Sequence, residues 1–205
     1  MSTRLNIAIF ISGRGSNMVS LLEACKSDEY PALPVLVLSN NPDAPGLLAA
    51  QQAGIPTATL TRSEFDTRDA YDHALNDALN SYNVELICLA GFMQILSKGF
   101  VEKWRDRIIN IHPSLLPSFK GLNTHERALE AGVEFTGCTV HYVRYEMDTG
   151  PIISQAVVTV RDDDTAETLA ARVLIEEHKI YPHALKLVAS GTVRVEGENL
   201  ISTSL

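Results

Sequence analysis

Asn110 and His112 stand two residues apart at the end of a short apolar run, Ile108-Ile109-Asn110-Ile111-His112, which Pro113 closes. Side chains alternate across a strand, so β-branched residues in this run would put the amide and the imidazole on one side. Proline has no amide hydrogen to give a ladder, and the strand therefore stops at the histidine. An amide donor beside a group that gives or takes a proton near neutral pH is suited to holding a developing oxyanion and protonating a leaving group. The carboxyl ends of strands in open α/β sheets are where ligands bind, which favours a site here. The same spacing also arises when both side chains only bond nearby backbone, and taken alone it does not separate the two.

A second chemical stretch is Ser12-Gly13-Arg14-Gly15-Ser16-Asn17. Two glycines let backbone amides approach an anion at the positive end of the following helix, and Ser16 and Asn17 add a hydroxyl and an amide. A phosphate fits these groups. A dinucleotide would need a third glycine where Met18 stands and an acid where Ser39-Asn40-Asn41 stands, and no Gly-Lys-Ser/Thr follows for a P-loop. A tight glycine turn with Ser16 or Asn17 as helix cap accounts for the loop equally well. Asp148 falls in the polar turn of residues 144–151 before Gly150 and Pro151, where an Asp also serves as an ordinary turn residue. Glu177 shares a helical stripe with Leu169, Val173 and Ile180, so it must meet a cation or mark a ligand cavity. Asp164 with Glu167 reads as a helix cap with acids at the positive end. No Gly-x-Ser-x-Gly elbow or Cys-His pair supplies a protein nucleophile.

The elements that must position these groups alternate. Strands are expected at residues 5–12, 34–38, 57–60, 86–90 and 108–111, and helices from residue 18, over 45–53 and over 66–82. Pro182 should bend or interrupt a long helix starting at Thr165, and residues 193–201 read as a short strand pair. Repeated βα units predict an α/β, Rossmann-like, mostly parallel sheet with helices on both faces. Residues 136–143 and 152–160, joined by the turn carrying Asp148, predict an antiparallel carboxy-terminal part. A chain of 205 residues suits a single domain, 1–205, with a phosphate-binding half over about 1–105 and a catalytic half over about 106–205.

Net charge of -8 argues against a nonspecific nucleic-acid binder. No apolar run reaches the roughly 20 residues of a membrane helix, and no signal-peptide pattern precedes the first strand. Cys25, Cys88 and Cys138 are too few and too scattered for a disulfide framework or a zinc knuckle. The expectation is a cytoplasmic protein with small-molecule substrates, monomeric or a weak homodimer.

The segment His112-Pro113-Ser114-Leu115-Leu116-Pro117 closed by Gly121, the loop at residues 12–17 and Met147-Asp148-Thr149-Gly150-Pro151 together resemble the folate-dependent formyltransferases, over residues 5–189. Within that family the chain is similar to members whose acceptor is glycinamide ribonucleotide. The resemblance implies direct transfer of the formyl group of 10-formyltetrahydrofolate, a co-substrate, without a metal. It assigns catalysis to Asn110, His112 and Asp148, with Asp148 favouring the charged imidazole. Gly15, Ser16 and Asn17 would hold the ribonucleotide phosphate and Glu177 its amine. Arg68, Met93, Gln94, Ile95, Leu96, Asn110, Arg144, Tyr145, Glu146, Met147 and Asp148 would form the folate pocket, with Thr139 and His141 in support. Gln94 departs from the arginine common at its position, and Arg144 from a smaller polar residue.

Four other readings use some of the same residues. A formyltetrahydrofolate hydrolase shares Asn, His and Asp but normally carries an extra amino-terminal domain and leaves the phosphate loop unexplained. A formyltransferase acting on transfer RNA needs a second domain and a basic surface. A nucleotide-binding sensor would keep the loop and perform no chemistry, and a zinc hydrolase through His112, His141 and Asp148 would lose activity to a chelator.

Overall fold

The computed structural model describes residues 4–203, and the chain divides into two compact units, one ending at Ile109 and the other beginning at Asn110. Seven strands form a sheet in the order β3-β2-β1-β4-β5-β6-β7, and β8 and β9 form a separate pair.

The first unit contains β1 (Leu5–Ile11), α1 (Ser16–Ala24), β2 (Ala32–Ser39), α2 (Pro45–Gln52), β3 (Thr57–Thr59), a 3-10 turn (Arg62–Glu64), α3 (Arg68–Ser81), β4 (Leu86–Leu89) and α4 (Lys98–Lys103). All pairings of β1 with β2 and β4, and of β2 with β3, are parallel. Ile7 to Ile11 are wholly buried, the continuous apolar run expected of a parallel strand covered on both faces. Strand order reverses between β1 and β4, and the crevice beyond the carboxyl ends at such a reversal is a binding position. The loops at residues 12–15 and 90–97 leave from those two ends.

Two local departures from expectation have physical reasons. Strand β2 begins two residues earlier than its apolar signal and contains Pro34, which is tolerated because the β1–β2 register shifts there, between Ile7 and Ala8. Helix α4 had no expected counterpart, being only six residues, and it starts where the Ser97 hydroxyl accepts the Phe100 amide hydrogen at 2.9 Å. In α3 the apolar face is Tyr71, Leu75 and Leu79, with Asn76 also buried, while Tyr82 just past the helix is exposed. Asn76 earns its burial by accepting from Trp104 Nε1 at 2.9 Å.

Strand β5 (Ile108–His112) crosses the boundary, and α5 (Thr124–Glu130), β6 (Phe135–Tyr142), β7 (Ile152–Thr159), α6 (Ala166–Ala189), β8 (Val193–Glu196) and β9 (Asn199–Ser202) belong to the second unit. Strands β6 and β7 pair antiparallel, as do β8 and β9. Helix α6 buries Leu169, Val173, Glu177, Ile180, Tyr181, Ala184 and Leu185 on one stripe. It runs unbroken through Pro182, so that residue does not interrupt it. Its cap is Thr165, in a reciprocal box with Thr168, while Asp164 pairs with Arg172 and accepts the Arg161 amide hydrogen.

Gly137 on β6 leaves no room for a side chain against β7: a Cβ there would lie 1.9 Å from Ala156 O and 2.9 Å from Leu115 Cδ2. Gly137→Ala must push backbone apart, and urea unfolding should show a loss of about 1–3 kcal/mol. An unchanged midpoint would mean that the two strands are free to separate.

Candidate active site

Strand β5 delivers Asn110 and His112 to one side, and three packed segments of the second unit close around them. The first is the chain that follows the strand. Ser114 N donates to His112 O at 2.9 Å and Ser114 Oγ to Ser118 O at 2.6 Å, curling the segment back on itself. Thr139 on β6 holds it from below. Its buried hydroxyl donates to Ser114 O at 2.7 Å and accepts from Leu116 N at 3.1 Å and from Gln155 Nε2 at 2.9 Å. Gln155 also donates to Leu116 O at 3.0 Å, and the Leu116–Pro117 peptide is cis.

So held, the segment aims Phe119 O at His112, whose Nε2 must donate to it at 3.0 Å because a carbonyl only accepts. Phe119 adopts a left-handed conformation, φ 52°, uncommon for a bulky residue and maintained by its surroundings. Two residues on, Gly121 N donates to Asp148 Oδ2 at 2.8 Å. Asp148 is itself left-handed, φ 53°, a conformation Asp tolerates in turns.

The Asp148 carboxylate is 11% exposed and faces two imidazoles: Oδ2 lies 3.6 Å from His112 Nδ1, and Oδ1 lies 3.8 Å from His141 Nε2. His141 is deeply buried on β6 and donates from Nδ1 to Tyr142 O at 2.9 Å. Burial pushes its pKa down to about 4, against the opposing pulls of the Tyr142 carbonyl and Asp148. The ring is therefore neutral near pH 7, with Nε2 as acceptor, and Asn110 Nδ2 donates to it at 3.3 Å. That bond orients the Asn110 amide and leaves its second N–H for another acceptor. Thus Asn110, His112 and Asp148 come together in the second unit, with Thr139 and His141 holding them. Asn-x-His was the visible sequence signal, whereas the orienting role of His141 depends on a tautomer that spacing does not express.

In the first unit, Ser12 ties three loop ends together. Its amide donates to Gly91 O at 3.2 Å, its hydroxyl donates to Asn40 Oδ1 at 2.5 Å and accepts the Met93 amide hydrogen at 2.7 Å, and its carbonyl accepts from Asn41 Nδ2 at 3.3 Å. Gly15 caps α1 in the left-handed region, φ 70°, and no side chain bonds at that cap, which leaves Ser16 and Asn17 as the first residues of the helix. Arg68 Nη2 donates to Ile95 O at 3.1 Å, joining α3 to the loop whose Met93 and Ile95 are exposed and whose Leu96 is buried. Gln94 is half-buried beside them.

Of the remaining residues, Tyr145, Glu146 and Met147 are exposed on the turn before Asp148. Arg144 is buried and directed at Glu198 in the β8–β9 turn, 2.8 Å away. Glu177 is buried on α6, and its charge adds to desolvation in raising the Cys138 thiol pKa. No group of three His, Cys, Asp or Glu side chains among the described residues has the geometry to hold a metal ion.

The family profile described as formyl transferase matches residues 5–185. The chain is 46% identical to phosphoribosylglycinamide formyltransferase of Escherichia coli (strain K12), over 93% of this chain and 90% of that one. It is 49% identical to the trifunctional purine biosynthetic protein adenosine-3 of Bos taurus, over 96% of this chain, and spans 19% of that relative's length. Among solved structures, glycinamide ribonucleotide transformylase 1 from Symbiobacterium toebii superimposes with a TM-score of 0.94 at 41% identity, covering 98% of this chain and 95% of that one.

The unfolded chain binds a proton at His141 near pH 6.5 and the folded chain only near 4. The stability tied to its neutral ring is therefore complete above about pH 6.5 and is lost as pH falls toward 4. In NMR titration the His141 ring signals should stay constant from pH 8 to below 6; a midpoint near 6.5 would contradict a buried neutral ring. His141→Gln should likewise show a shallower loss of stability across that acid window than the wild type.

Proposed function

The chain belongs to the formyl transferase family, and from that membership we propose that it transfers the formyl group of 10-formyltetrahydrofolate to the amine of glycinamide ribonucleotide. The observation that carries the reading is the grouping of an oriented amide, an imidazole and a buried carboxylate in contact: Asn110, His112 and Asp148. They match the needs of a tetrahedral carbon bearing an oxyanion.

The substrate amine attacks the formyl carbon, and a new carbon–nitrogen bond forms as the carbonyl electrons move to oxygen. The second N–H of Asn110 donates to that oxygen, and a protonated His112 beside it lends positive charge. Collapse breaks the bond to the folate nitrogen, which takes a proton, while the attacking nitrogen loses one. Asp148, beside His112 Nδ1 and fixed by Gly121, supports the imidazolium and the passage of that proton. Ser114, two residues after His112, commits its hydroxyl to Ser118 O, which supports the substrate's own amine as nucleophile.

Gly15, Ser16 and Asn17 hold the ribonucleotide phosphate at the amino end of α1, and Glu177 holds the attacking amine. Arg68, Met93, Gln94, Ile95 and Leu96 with residues 144–148 contact the folate. Exposure of Met93 and Ile95 on the first unit, and separately of Tyr145 and Met147 on the second, supports the reading that each offers apolar side chains to a ring. The enzyme works in the cytoplasm as a monomer or weak homodimer; three buried cysteines with no disulfide between them support the reducing compartment.

Purified protein should consume 10-formyltetrahydrofolate only when glycinamide ribonucleotide is added, at a rate indifferent to chelator. Equal consumption without the ribonucleotide would make water the acceptor and refute transfer. His112→Ala should lower kcat by about 10²–10⁴-fold, since it removes acid catalysis at the reacting centre. The KM for the ribonucleotide should stay nearly constant in that variant, because Gly15 to Asn17 grip a remote phosphate; a large KM effect with normal kcat would remove His112 from the chemistry.

A further inference from the structure

The turn between β6 and β7 is anchored unequally at its two limbs. At the far limb Gly121 holds Asp148, and Gly150 lies so close to β6 that a Cβ would meet Tyr142 O at 1.7 Å. Tyr142 N donates to Pro151 O at 2.9 Å, closing that end. The near limb, residues 144–147, carries the exposed Tyr145 and Met147, and its first residue reaches out of the turn altogether. Arg144 Nε donates to Glu198 Oε2 at 2.8 Å, and Nη1 to Val143 O at 3.1 Å. The arginine side chain is 6% exposed and the glutamate 58%.

Glu198 lies in the tight turn between β8 and β9, a hairpin that supplies none of the residues assigned above to substrate. Three residues separate the hairpin from α6, Val193 at its start is buried, and its two arms are closed at the base where Thr203 N donates to Thr192 O at 2.8 Å. A carboxylate on a fixed support, bonded to a buried guanidinium, holds the start of an otherwise exposed loop in one shape. A surface preformed in its bound shape loses less conformational freedom on binding.

We infer that the β8–β9 hairpin is a latch for the folate-binding loop, with Glu198 and Arg144 as positioning residues. The inference rests on the assignment of residues 144–148 to folate. Because Asp148 has its own tether to Gly121, release of the latch loosens the near limb and leaves the catalytic carboxylate in place. The effect therefore falls on folate affinity and spares the chemical step.

The test compares wild type with Glu198→Gln by amide hydrogen exchange of the free protein and by steady-state kinetics. Exchange at residues 144–147 should quicken and the KM for 10-formyltetrahydrofolate should rise, each by about five-fold, the size set by a half-exposed charge pair. The KM for glycinamide ribonucleotide and kcat should stay within about two-fold, with an unchanged urea midpoint. Unaltered exchange, or a parallel rise in both KM values, would overturn the latch. If wild type showed no ribonucleotide-dependent turnover, the functional reading would fall, and the exchange comparison alone would decide whether the hairpin restrains the loop.

Discussion

A carboxylate removed from water must be surrounded by donors, and the second unit is built to meet that demand at Asp148. A buried anion costs several kcal/mol unless hydrogen bonds and opposite charge replace its hydration. Here Oδ2 accepts the Gly121 amide hydrogen and faces His112, while Oδ1 lies 3.8 Å from the neutral His141 ring, whose Nε2 has no proton to give it. The turn between β6 and β7 must therefore place Asp148 in a left-handed conformation, and the segment after β5 must bring Gly121 within 2.8 Å. Thr139 and Gln155 follow from the same requirement, since they hold the backbone at Ser114 and Leu116 on which the approach of Gly121 depends.

His141 and His112 share this carboxylate but are set up differently. The neutral state of His141 follows from depth of burial and from the Tyr142 carbonyl, and its free lone pair then fixes the direction of the Asn110 amide. His112 has an oxygen beside each ring nitrogen, Phe119 O at 3.0 Å from Nε2, which donates to it, and Asp148 Oδ2 at 3.6 Å from Nδ1. One imidazole thus orients a donor, and the other is placed to be one. In the first unit Ser12 does the comparable structural work with neutral groups, linking the ends of β1, β2 and β4 through four hydrogen bonds.

Much of the framework was legible in the sequence because burial there is continuous. The apolar runs that became β1, β4 and β5 and the stripe of α6 each carry a period that packing rewards, and Glu177 stood out on that stripe. The Asn110–His112 pair was legible because Pro113 ends the strand at His112. Less was written at elements set by a single bond. Helix α4 hangs on the Ser97 cap, β2 accommodates Pro34 only through a register shift, and Pro182 is absorbed within a helix packed along its length. Arg144 shows the limit of local reading most plainly: its partner Glu198 is 54 residues away, and nothing in the sequence of the turn itself points to that pair.

The left-handed backbone at Phe119 bears on how this protein can change. Holding a bulky residue there costs about 1 kcal/mol or more that glycine would not incur, and the return is a carbonyl aimed at His112. A library screened only for heat resistance would thus tend to be drawn to position 119, where relief of strain is available, and would let the imidazole lose its fixed neighbour. Selection for turnover pulls the other way. Position 119 is where durability and rate compete, although its side chain has no part in the chemistry.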